Sequence, residues 1–98
     1  MATTGDADGY QKLAEAARLQ DRHDEARDLY ERARDLYRLA GAPAREADCH
    51  WGLAEIARLQ DRYDAARALY ERACALYQRA NDSWSARMCE SLAASLPQ

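Results

Sequence analysis

Phenylalanine is absent from this chain, and glycine, proline and cysteine are scarce, at four, two and three residues of 98. Without phenylalanine, the large side chains are six tyrosines and two tryptophans, set among many alanines and leucines. Alanine buries little area at ~25 cal/mol per Å², so stability must come from close helix–helix approach and high helix propensity. The few glycines form no phosphate-cradling loop, and neither an HExxH metal motif nor a nucleophile elbow occurs. The three cysteines lack CxxC spacing, which fits reduced thiols and a cytoplasmic protein rather than a disulfide framework. No apolar run approaches the ~18 residues of a membrane-spanning helix. The polar, acidic start, Met1 to Gly9, reads as a flexible lead over 1–8 and not as a signal peptide.

Concentrated charge of one sign is also missing. The net charge is −3, with 7 basic and 9 acidic residues over 1–40, 6 and 6 over 41–80, and 1 and 2 over 81–98. A nucleic-acid interface requires a basic stripe or patch, so the sequence predicts no nucleic-acid partner. Lys12 is the single lysine and the other thirteen basic residues are arginine.

The chain does contain a repetition. Residues 13–40 and 53–80 are identical at 20 of 28 positions at an offset of 40. A period of this size marks a repeat architecture in which each unit buries its apolar face on its neighbour. Within the first unit, Ala26, Leu29, Tyr30, Ala33, Leu36, Tyr37 and Ala40 recur at steps of three and four. The second repeats this as Ala66, Leu69, Tyr70, Ala73, Leu76, Tyr77 and Ala80. Both are helical stripes, backed by charge pairs such as Asp24/Arg27 and Asp28/Arg32. Gly41 and Asn81 suit the left-handed residue that closes a helix. Pro43 suits the first turn of the next, and Asp82 or Ser83 can cap the last. The short links Asp21-Arg22-His23-Asp24 and Asp61-Arg62-Tyr63-Asp64 join each stripe to an upstream helix, over roughly 9–20 and 44–60, as an antiparallel neighbour.

These residues resemble the tetratricopeptide repeat (TPR) family. The first unit supplies Leu13-Ala14, Ala17, Ala26, Tyr30 and Ala33, and the second Leu53-Ala54, Ala57, Ala66, Tyr70 and Ala73. The family's usual glycine is replaced by Ala14 and Ala54, its large first-helix aromatic by Ala17 and Ala57, and its period of 34 by 40. The resemblance implies an all-α, right-handed α-solenoid of two TPR-like helical hairpins plus a C-terminal capping helix, five helices in all. The expected divisions are a lead over 1–8, a first repeat over 9–40, a second over 44–80 and a capping helix over 83–96. It further implies a protein–protein interaction module, a scaffold or adaptor without catalysis or cofactor, that binds a protein or peptide segment. A self-associating assembly element is the alternative, and a helical-repeat RNA binder stands third because a basic groove is missing.

First helices of the family line a groove. By alignment that face carries Gln11, Glu15, Arg18 and Leu19 from the first unit, and Asp48, Trp51, Glu55, Arg58 and Leu59 from the second. Gln11, Glu15 and Glu55 oppose the chaperone C-terminal carboxylate that some members bind. Glu15/Arg18 and Glu55/Arg58, spaced i,i+3, can also satisfy each other. Trp51 is the leading contact candidate, since tryptophan is enriched at binding hot spots; packing beneath the terminal helix competes with that reading. Where the first unit has Glu25, Asp28 and Asp35, the second has Ala65, Ala68 and Ala75. This neutralised stripe suggests a cover, either the tail Leu92–Gln98 or a second copy in a homodimer; drift is the plain alternative. Cys49, Cys74, Cys89, His23 and His50 invite a metal site. Adjacent Cys49 and His50 point about 100° apart on a helix and do not share an ion, so burial in the packing is expected for Cys49 and Cys89 and no metal is expected.

Overall fold

The computed structural model describes residues 4–98. Five helices follow in order: α1 Thr4–Leu19, α2 His23–Leu39, α3 Pro43–Leu59, α4 Tyr63–Arg79 and α5 Ser83–Ala94. Each packs on its neighbour in the chain, and α1 also touches α3. The result is a helical solenoid in which α1, α3 and α5 form one layer and α2 and α4 the other. It measures 42 × 32 × 16 Å, so it is two layers thick and encloses no deep interior.

The four connections are the same loop. After each helix a residue adopts the left-handed conformation: Asp21 (φ 60°), Gly41 (67°), Asp61 (61°) and Asn81 (60°). The amide of the next residue reaches five positions back, as Arg22 N–H does to the Ala17 carbonyl at 2.9 Å and Ala42 N–H to the Tyr37 carbonyl at 3.0 Å. Arg62 to Ala57 (2.8 Å) and Asp82 to Tyr77 (2.9 Å) repeat the pattern, which is a Schellman closure at every helix end. The residue that completes the closure also starts the next helix, since the carbonyls of Arg22, Ala42, Arg62 and Asp82 each accept the first helical bond. Only Asp82 adds a side-chain cap among these four loops, accepting from Ser85 N–H at 3.0 Å. The links are therefore Gln-Asp-Arg, with His23 and Tyr63 already helical, and two aspartates perform the role expected of Gly41 and Asn81 alone.

Two boundaries differ from expectation. The lead over 1–8 is helical from Thr4, while residues 1–3 lie outside the described residues. Tertiary contact supplies what propensity does not: Ala7 is fully buried, and the Tyr37 hydroxyl donates to Asp8. At the other end α5 stops at Ala94, before Pro97 is reached, and the Ser95 hydroxyl donates to the Leu92 carbonyl at 2.9 Å. Leu96 still packs into the core beyond the helix end.

The core is alanine pierced by tyrosine. Ala14, Ala17, Ala26 and Ala33 let α1 and α2 approach, and Tyr30 and Tyr37 fill the space between the helices and the next hairpin. Tyr70 and Tyr77 do the same beneath α5. Gly52 sits directly against the Tyr30 ring, where an added Cβ would lie 2.4 Å from Cζ. Cys49 and Cys89 are buried in this packing. Burial raises the Cys49 thiol to about 12 and the Cys89 thiol to about 11.

Candidate functional site

The predicted first-helix residues do share one layer, but most are already engaged. Each buried tyrosine carries a hydroxyl that needs a partner, and the first helices supply it. Tyr77 donates to Asp48, Tyr70 to Glu55, and Tyr37 has two acceptors for its one proton, Asp8 and, at 2.9 Å, Gln11 Oε1. Burial, reinforced by the bonded carboxylates, pushes Tyr37, Tyr70 and Tyr77 far above the ordinary phenol range. Asp48 and Glu55 thus act first as ties between the two layers.

The expected i,i+3 pairing holds in one unit and not in the other. Arg58 binds Glu55 at 3.2 Å, and that bond is the main cause that raises the guanidinium pKa. In the first unit Arg18 Nε instead donates to the Tyr30 hydroxyl at 3.1 Å, and Glu15 accepts from Gln11 Nε2 at 3.3 Å. The difference lies next to Arg18: its guanidinium rests 5.3 Å from the Trp51 ring centre, a cation–π contact from α1 to α3. Arg32 and Tyr10 make a looser pair of this kind at 5.9 Å, whereas Asp28, the expected partner of Arg32, forms no ion pair with it. Leu19 and Leu59 are exposed.

Trp51 packs beneath the terminal helix, the competing reading of the sequence, and borders open space as well. It is half-buried against the α4–α5 core and also forms a wall of a cavity of about 270 Å³ between α3 and α5. The other walls include Tyr77, Trp84, Met88 and Leu92. Trp84 is 67% exposed and Met88 46%. A second depression, which shares Leu92, is lined by Arg58, Leu59, Ser95 and Pro97. Trp84, Met88 and Leu92, absent from the site residues the sequence singles out, share one face of α5 through their i, i+4, i+8 spacing.

Ala65, Ala68 and Ala75 share one broad side of α4, but the first and last border different crevices. Ala65 is half-buried in the crevice between α2 and α4 beside Arg27 and Glu31, and Ala75 lines a different crevice, with Cys74, Ala93 and Leu96. Ala68 is exposed and lines neither. Ten residues along a helix turn the side chain by 1000°, leaving Ala65 and Ala75 about 80° apart. The tail does reach this second crevice, where Gln98 lies and Arg67 donates to the Pro97 carbonyl at 3.1 Å.

On α3, His50 is buried beside Glu46, with 3.7 Å between Nε2 and the carboxylate, and among the described residues neither ring nitrogen has a hydrogen-bond partner. Burial, then Arg34 and Arg72, lower its pKa to about 4. Glu46 is held by Arg38 at 3.2 Å. Among the described residues no group of three His, Cys, Asp or Glu side chains could hold a metal ion, and no helix is long and apolar enough to cross a membrane.

No curated protein and no solved structure shows significant similarity to the chain. A family model described as tetratricopeptide repeat matches residues 6–79, well over half of the sequence and nearly the whole of both hairpins. Five helices, paired by uniform short loops and stacked through small residues and tyrosines, agree with that match, and the chain belongs to the tetratricopeptide repeat family.

Proposed function

We propose that this chain is a non-catalytic interaction module that holds a protein or peptide segment on the α1–α3–α5 layer. TPR repeats are generally protein–protein interaction modules. The observation that carries the reading here is the apolar face of α5, where exposed Trp84 and Met88 adjoin Trp51 across an open cavity. Exposed large aromatics next to a depression are the usual anchors of a binding surface. A catalytic role is disfavoured because Asp48 and Glu55 are bonded to tyrosines and the Cys49 and Cys89 thiols are buried. Three free thiols suit a cytoplasmic setting.

The test is selection of binders from a displayed peptide library on the wild-type protein. Trp51→Ala and Trp84→Ala should each lose most of the selected binders; retention of binding by both variants refutes the site.

Self-association is a second reading with its own observation. Leu53 is 6% exposed under the first hairpin, whereas its repeat equivalent Leu13 is 58% exposed at the open end of the stack. A homodimer would cover that end. Light scattering after size exclusion tests it: an 11.1 kDa species at all concentrations would exclude a dimer.

A further inference from the structure

The repeat presents one surface twice, once covered and once open. At the open end of the stack α1 and α2 form a groove of about 200 Å³, with Leu13, Ala16 and Ala17 as its floor and Leu29 as its wall. Forty residues on, Leu53, Ile56, Ala57 and Leu69 stand around the crevice between the two hairpins. Each of the seven residues lining the end groove has its equivalent lining that inner crevice. Inside the molecule α2 covers this surface. Leu53 and Ile56 are 6% and 2% exposed and share a core with Ala26, Tyr30, Ala33 and Tyr37. At the end of the stack no helix among the described residues lies over it, and Leu13 is 58% exposed with Ala16 open beside it. The covered copy thus shows what the surface accepts, an amphipathic helix of the α2 kind.

One difference between the copies selects the occupant. Gly52, against which the Tyr30 ring lies, corresponds at the open end to Lys12, which is exposed. A lysine there displaces a tyrosine ring, and its ammonium calls for a carboxylate across the interface. The acidic side chains one turn away along α1 are engaged elsewhere, since Asp8 accepts from Tyr37 and Glu15 from Gln11. Lys12 forms no ion pair among the described residues. A second copy of this chain has no such helix to offer, because the tyrosine-bearing faces of α2 and α4 are buried against α3 and α5. We propose that the open end of the stack is a second docking surface, which seats one amphipathic helix of a protein partner as α2 is seated on α3. Its small and aliphatic residues lie on Leu13, Ala16 and Leu29, and a glutamate or aspartate faces Lys12. This surface is separate from the cavity of Trp51 and Trp84, so either assignment can fail without the other.

Calorimetric titration of the full chain tests the proposal. The probes are peptides of the helix that covers the inner copy, His23–Leu39, carrying either Tyr30→Glu or Tyr30→Lys. The glutamate peptide should bind about fivefold more tightly than the lysine peptide, and Lys12→Glu in the protein should reverse that order. Leu13→Asp, at an exposed position, should abolish binding of both. Absence of binding by the glutamate peptide, equal binding of the two, an unchanged order in Lys12→Glu, or undiminished binding to Leu13→Asp each overturns the proposal. A dimer in light scattering that Leu13→Asp dissociates and the glutamate peptide leaves intact also overturns it, because a second copy then holds this end.

Discussion

Gly52→Ala gives the sharpest test of the packing described above, because two effects of known sign oppose each other there. Gly52 lies mid-helix in α3, where alanine is intrinsically better by about 1 kcal/mol. If nothing stood in front of it, the substitution would stabilise the protein. In the structure the new methyl would lie 2.4, 2.6 and 2.7 Å from three atoms of the Tyr30 ring, well inside van der Waals contact. Tyr30 has little freedom to retreat, being 1% exposed with its hydroxyl held by Arg18. Overpacking costs about 1–3 kcal/mol and sometimes more; three ring contacts under 3 Å put this site in the upper part of that range, so the overlap wins and the net loss is about 1–2 kcal/mol. For a domain near 100 residues this lowers Tm by roughly 4–16 °C. Thermal and urea unfolding followed by circular dichroism measures it. Tyr30→Leu removes the ring atoms in question, so Gly52→Ala should cost about 1 kcal/mol less in that background. A Gly52→Ala protein as stable as wild type, or more so, would refute the close contact between the hairpins.

Three further outcomes follow from particular residues. The folded pKa of His50, about 4, lies below its ordinary value, so the stability tied to its neutral form is complete above pH 6.5 and is lost as pH falls through 4. The loss should reach about 2 kcal/mol by pH 5, and urea midpoints at pH 7 and 5 should differ less in His50→Leu than in wild type; equal slopes would deny His50 this role. Tyr77→Phe leaves Asp48 without its hydroxyl donor and should cost about 1–2 kcal/mol in urea unfolding. At the left-handed loop position Asp61→Gly should gain up to about 1 kcal/mol and Gly41→Ala lose a similar amount; the reverse order in thermal melts would contradict the shared loop geometry.

The helices were legible because their stripes are periodic and because the repeat states each stripe twice. Asp21 and Asp61 were harder to read as closures, since aspartate is at home in many turns and only the backbone shows which residue takes positive φ. The start of α1 was hidden for a different reason: Gly5 and Gly9 weaken local propensity, while the anchor at Asp8 comes from Tyr37, 29 residues away. Separation along the chain likewise explains Gly52, whose need to lack a side chain is set by Tyr30 in the other repeat. In the candidate site, alignment placed Asp48, Glu55 and Arg58 together on α3, as the structure has them. It did not show that tyrosine hydroxyls already occupy Asp48 and Glu55, because phenol and carboxylate lie on different helices of the hairpin. Trp84 and Met88 were overlooked because the fifth helix has no counterpart hairpin to compare with.

The identical loops have a consequence for how such a chain can be lengthened. Helix starts fall at 23, 43, 63 and 83, so the backbone has a translation of 20 residues, although the side-chain pattern repeats only at 40. Inserting one helix and its loop would fit the backbone perfectly and still reverse the direction of everything downstream, exchanging the tyrosine-bearing layer for the carboxylate-bearing one. Inserting 40 residues, such as a second copy of 43–82, preserves both periods, and each new junction would be a loop the chain already contains. The hairpin, not the helix, is therefore the smallest heritable unit of growth, and a chain of this design changes length by forties or not at all.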